Sequence, residues 1–409
     1  MSSVAERMRA VAAERRRDLG IVAALIVLAL LYPTVVGSLQ SLPLVGDFVP
    51  SVDSMVNMVV FTTMAVGLNI VVGYAGLLDL GYVAFYAAGA YTAGWLASSQ
   101  FSQLDAHLGD VGFSTGTPGI HVSMWLVLVI AGIFTTVVGI AIGLPTLRLR
   151  GDYLAIMTLG FGEIIPQFVR NGDSIGGFNL TNGTFGISPI DSLGFGGIGD
   201  AIGLPDSFRQ SAERSQWFFW TAVAILLVTV FCSVRLRDSR LGRAWVAIRE
   251  DETAAGAMGI PLMRTKTWAY ALGAFFGGVA GAFYASFKAG AFPADFFFNI
   301  SVFLLTMVIL GGMGSVWGVI LGGMVLGYLN VEGLATIGSK IQDAGVNFDP
   351  TKYQFGIYGV IIVLMMLFRP AGLIPERRHK IELIEGVHDT PFYDVQREGT
   401  LTDRDASDD

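Results

Sequence analysis

The chain has 409 residues, 53% hydrophobic and 14% charged, with a formal net charge of −7. Soluble domains carry about 25% charged residues, so this composition excludes a water-soluble globular enzyme and indicates an integral membrane protein. The acidic balance gives no nucleic-acid signal, and the lone Cys232 excludes an intrachain disulfide.

In chain order, residues 1–18 are polar and carry Arg7, Arg9, Arg15, Arg16 and Arg17. The apolar stretch 19–37 follows and reads as an uncleaved first span, because no small-residue cleavage site closes it. Further spans are expected at 54–73, 80–98, 121–145, 153–169, 217–235 and 267–288. The apolar, glycine-rich region 299–330 is too long for one span and divides at GGMGS, 311–315; the last span is 355–369. The reading is an all-α polytopic membrane protein with about ten membrane-embedded helices between 19 and 377. Two segments fall outside this domain's core: a long polar loop, 170–216, and an acidic tail, 378–409, expected to be disordered. Lys and Arg concentrate in 1–18, 146–152, 235–266 and 369–409, which places both termini and the 236–266 loop in the cytoplasm and 170–216 outside.

Glycine makes up 52 residues of the chain, and small residues let helices approach closely in lipid. Gly273, Gly277 and Gly281, continued by Ala285, form one such face, read as packing within the chain; Gly318/Gly322 and Gly323/Gly327 form two more. Glu163, in TLGFGEIIP, is the acid expected deepest in the membrane. An ionisable residue there marks a candidate pathway, weighed equally against a packing role, and Gly160, Gly162 and Pro166 suggest a broken helix around it. Gly81, Tyr82, Phe85 and Tyr91, together with Gly311, Gly312 and Gly314, complete the candidate pathway, although an aromatic stripe is more often packing. Asp79 reads as an interfacial carboxylate. The sequence has no GxxxxGK[ST] loop and no metal-ligand spacing of histidines, so it reads as no enzyme; any ATP and Mg would be held by other chains.

The longest charged run between two spans is Ser239–Lys266. It reads as one helix over Arg240–Met258, with Ser239 as N-cap, Gly259 at C′ with φ > 0, and Pro261 stopping continuation. Ala244, Ala247, Ile248, Ala255 and Met258 give it a small apolar face; Gly242 lies in its first turn, and Arg243, Arg249, Glu250, Asp251 and Glu252 give it a charged face.

The wording GRAWVAIREDETAAGAMGI, 242–260, resembles the coupling loop of branched-chain amino-acid ABC importer permeases of the LivM type. GLLDLGYVAFYAAGAY (76–91), GDYLAIMTLGFGEI (151–164), VILGGMGSVWGVIL (308–321) and FRPAGLIPER (368–377) resemble the same family. The resemblance spans roughly Thr63 to Arg377. It implies the ABC importer permease fold in a prokaryotic cytoplasmic (inner) membrane. It also implies a second homologous permease subunit, two cytoplasmic ATPase subunits, one of which receives the 239–259 helix in a groove, and an extracytoplasmic substrate-binding protein. A urea or amide importer permease is the nearest alternative, and a proton-coupled secondary transporter using Glu163 is another.

Overall fold

The structure is a computed structural model, and it describes residues 27, 29–41, 46–109, 116–149, 151–174, 176–194, 215–343, 345 and 348–375. The segment 1–18, the tail 378–409 and part of the 170–216 loop lie outside the described residues. Helices follow as α1 (29–40), α2 (Val52–Asn69), α3 (Val83–Leu96), α4 (Met124–Thr146), α5 (Asp152–Arg170) and α6 (Ser215–Arg237). Then come α7 (Arg240–Glu250), α8 (Glu252–Ala257), α9 (Leu262–Phe287), α10 (Phe298–Gly311), α11 (Val316–Tyr328), α12 (Leu334–Asp343) and α13 (Gln354–Phe368). Among the described residues, seven helical stretches are long and apolar enough to cross a membrane: Gly46–Tyr74, Met124–Thr146, Ser215–Arg237, Leu262–Phe287, Pro293–Gly311, Val316–Asp343 and Pro350–Phe368. The region 299–330 is therefore two helices, parted at Gly312–Ser315.

Glycine decides what packs on what. α9 is the centre, and its expected Gly273/Gly277/Gly281 face does pack within the chain. A Cβ at Gly281 would stand 2.1 Å from the Tyr86 carbonyl oxygen on α3, and one at Gly277 would stand 3.1 Å from Phe85. A Cβ at Gly278 would meet the Thr135 side chain on α4 at 2.0 Å. In return, Gly132 and Gly139 of α4 lie against Phe275 and Ala274 of α9. Gly323 and Gly327 of α11 close on Thr62 and Met58 of α2 in the same way. Buried threonine hydroxyls of α2 are satisfied within that helix: Thr62 donates to the Met58 carbonyl at 2.7 Å and Thr63 to the Val59 carbonyl at 2.8 Å.

Three expectations are corrected. The chain is mostly, not wholly, helical. Strands β1 (Ala97–Ser98), β2 (Ala106–Leu108) and β3 (Ile120–Val122) form a small sheet in the order β1-β3-β2, with Ala97 opposite His121. Part of the 170–216 loop belongs to the core: Ile187, Ile190, Asp191 and Leu193 are buried beside this sheet, where His121 Nδ1 lies 2.7 Å from Asp191 Oδ2. The span expected at 80–98 contains a helix of only 14 residues, preceded by non-helical backbone over 75–82.

Gly76 and Leu78 of that irregular segment are exposed, but Leu77, Asp79, Gly81 and Tyr82 are buried, and side chains hold the amides from Leu80 into the start of α3. Leu80 N–H donates to Thr158 Oγ1 of α5 (3.0 Å), Gly81 N–H to Asp79 Oδ1 (2.9 Å) and Val83 N–H to Ser301 Oγ of α10 (3.0 Å). Non-helical backbone at membrane depth is tolerated only where protein supplies such partners. At the turn between α10 and α11, Gly312 and Gly314 have φ of 113° and 87°. The chain beyond α13 returns to this turn: Leu373 N–H donates to Leu310 O (2.9 Å) and Ile374 N–H to Gly311 O (3.1 Å). Gly372 fits flush against Gly312, where a Cβ would come within 2.3 Å of its Cα.

Candidate coupling site

The stretch Arg240–Met258 is two helices, α7 and α8, rather than the single expected one. Ser239 caps α7 as the sequence indicates, its side chain accepting from Gly242 N–H. Gly242 is buried because the chain doubles back there; a Cβ would be 2.1 Å from Arg237 O. The break falls at Asp251, in extended conformation at φ −151°, ψ 108°. Its Oδ1 accepts from Thr253 N–H (2.7 Å) and Ala254 N–H (3.0 Å), so the side chain caps α8 and competes with continuation of α7. The acidic Glu252 beside the new N-terminus is the sequence signal for that break. Gly259 ends α8 at φ 85°, as its position implies.

The loop is fastened to the membrane helices at three points. Trp245, fully buried, donates its indole N–H to Thr265 O of α9 at 2.8 Å. Glu252 pairs with the buried Lys266 at 2.8 Å. Arg249 Nη1 donates to Gly73 O at 2.6 Å, in the π-helical turn Ile70–Tyr74 that ends α2, and its side chain lies over Gly76. One turn earlier in α2, Asn69 Oδ1 accepts from Gly314 N–H at 2.9 Å. Arg249 thus reaches the junction where α2, the irregular 75–82 segment and the α10–α11 turn meet. Trp245, Lys266 and Asn69 were not among the residues singled out from sequence; the partner of Asn69 lies 245 residues along the chain, and those of Trp245 and Lys266 lie across the α7–α8 fold.

The remaining loop residues divide by exposure. Arg243, Glu250, Asp251 and Gly259 are exposed, Ala247 is half-buried, and Met258 is 84% exposed. Ala255 is buried against its own chain, so the small outer face expected there is carried by Met258 and its exposed neighbours Ala254 and Ala257.

Of the other candidate pathway residues, the structure brings Tyr82 and Phe85 into contact in the core and leaves Glu163 on an exposed face. Tyr82, Phe85 and Tyr91 are core residues: Tyr82 donates to Gly273 O at 2.9 Å, Phe85 stacks edge-on with Tyr82 and Tyr270, and Tyr91 lies against Phe296. Gly81 is pressed onto α5, where a Cβ would be 2.3 Å from Thr158 O. Asp79 is buried within the protein. Gly311, Gly312 and Gly314 form the α10–α11 turn. Glu163 is on the exposed face of α5 with Ile156, Leu159 and Ile164. That helix runs unbroken through Pro166, whereas a break was expected.

The fold and this loop define a polytopic helical membrane protein with a folded, charged loop wired into its helix ends. Residues 51–366 match the family described as branched-chain amino acid transport system / permease component, and the chain belongs to that family. It is 35% identical over 347 residues to the high-affinity branched-chain amino acid transport system permease protein LivM of Salmonella typhimurium, covering 82% of this chain and 72% of that one. The probable LivM protein of Methanocaldococcus jannaschii is 29% identical over 335 residues, covering 77% and 90%. The LivH permease protein of Escherichia coli is 24% identical over 316 residues, covering 77% and 91%. No solved structure matches the chain.

Proposed function

We propose that this chain is a permease subunit of an ATP-driven ABC importer that moves branched-chain and other hydrophobic L-amino acids across a cytoplasmic membrane. It works with a second, homologous permease, two ATPase subunits that hold ATP and Mg, and an extracytoplasmic binding protein. Both termini and the 236–266 loop face the cytoplasm, and about ten segments are membrane-embedded. The observation that carries the mechanism is the three-point fastening of the loop, above all Arg249 on Gly73. An ATPase seated on the exposed face around Glu250, Asp251 and Met258 moves α7 and α8, and Arg249 conveys that movement to the end of α2 and the α10–α11 turn. A partner drives such a switch only through different contacts in its two states. Glu163 and the exposed face of α5 meet the second permease across the substrate path.

The test uses the complex reconstituted in vesicles with its ATPases and binding protein. Met258→Glu lowers substrate-stimulated ATP hydrolysis and leucine uptake together, because the ATPases no longer seat. Arg249→Gln retains the ATPases and hydrolyses ATP, but transports less per ATP. Leucine uptake at the wild-type rate in both variants would overturn the assignment of the loop.

A further inference from the structure

Along most of their crossing α4 and α9 touch backbone to side chain, but at the Arg264 end they part. There they leave a groove of about 320 Å³ on the outer surface of the bundle. One wall is Ile140 and Leu144, one turn apart on α4. The other includes Arg264, Thr267, Trp268 and Ala271, which recur at three- and four-residue spacing on a single face of α9. Arg264 is exposed and makes no ion pair with any described residue. Trp268 is 46% exposed, and tryptophan is enriched at the level of lipid headgroups. From Leu144 an exposed apolar ridge, Val137, Ile133 and Val129, continues along α4 away from the cation. Its length is about 22 Å at 1.5 Å per residue, more than half of the roughly 30 Å hydrocarbon core.

We infer that this groove binds an anionic phospholipid. Arg264 meets the headgroup phosphate, the Trp268 indole lies at the depth of the glycerol, and one acyl chain follows Leu144 to Val129. A cation followed by a long apolar track matches a lipid; a free phosphate would have no use for the ridge. The inference rests on the chain spanning a membrane and is independent of what it transports.

The experiment uses the purified full complex in nanodiscs of phosphatidylcholine doped with a probe lipid carrying a photoreactive acyl chain. The probe is phosphatidylglycerol in one arm and phosphatidylcholine in the other, and labelled peptides are read by mass spectrometry. The phosphatidylglycerol probe labels the α4 ridge more than the phosphatidylcholine probe. Arg264→Gln lowers that labelling about fivefold, the equivalent of the ~1 kcal/mol that a basic residue contributes at an anionic surface. Arg264→Lys keeps most of it, and Leu144→Trp, which fills the groove, lowers labelling by both probes. Equal labelling by the two probes in wild type and Arg264→Gln would overturn the inference. So would a photocrosslink from Trp268→benzoylphenylalanine to another protein subunit, which would show that protein covers the groove.

Discussion

α9 and α13 are both apolar enough to cross a membrane, yet they occupy opposite situations. α9 buries most of its circumference, including Ala269, Gly273, Ala274, Gly277, Gly278, Gly281 and Ala285, and leaves a stripe from Arg264 and Trp268 to Val279 unburied. α13 buries only Tyr358, and Val360, Val363, Leu367 and Phe368 are all more than half exposed. In water the more apolar helix would be the interior one. In lipid, apolarity places a helix in the membrane and small side chains place it inside the bundle, because close backbone contact rather than water exclusion drives association. Gly356 and Gly359 of α13 confirm the contrast, since a Cβ at either would meet nothing within 4 Å.

Three substitutions sharpen that contrast. Gly281→Leu has the largest expected effect. Its first added carbon would lie 2.1 Å from a backbone oxygen that cannot move away alone, so the cost exceeds the ~3 kcal/mol at the upper end of ordinary overpacking. No monodisperse protein is then expected after detergent extraction, as read by size-exclusion chromatography of a fluorescent fusion. Tyr82→Phe keeps the packing and removes only the bond to Gly273 O; the cost is roughly 1 kcal/mol, seen as a fall of a few degrees in thermal unfolding. Gly359→Leu changes the stability of the isolated chain by less than about 0.5 kcal/mol. If it leaves the chain stable but abolishes uptake, the exposed face of α13 is a protein contact rather than a lipid face.

What the sequence disclosed was local. Ser239 as a cap, φ > 0 at Gly259 and the division at 311–315 each depend on a few neighbouring residues, and each is present. The Gly273/Gly277/Gly281 face was legible for the same reason. Arg249 could be assigned to the loop, but its acceptor, 176 residues away, could not be inferred from spacing. Glu163 shows a different limit. Its place on a helix was legible, but its azimuth depends on which side of α5 packs. Leu154, Ala155, Thr158, Gly162 and Pro166 take that side and turn Glu163 outward. Asp251 shows a third: one long helix fits the composition as well as two, and the adjacent Glu252 alone does not decide between them; the two hydrogen bonds at the Asp251 side chain do.

The return of Leu373 and Ile374 to the α10–α11 turn also bears on how the protein is made. The carbonyls of Leu310 and Gly311 belong to the last turn of α10 and have no partner further along that helix. Their donors are synthesised only after α11, α12 and α13. The helix pair therefore enters the membrane with an open turn, which stays open for a few seconds at about 5–20 residues per second of translation. A nascent chain arrested before Gly372 has its helices in place but the turn beside Asn69 unlatched, and a protease or chaperone that reads loose turns can tell it from a finished one.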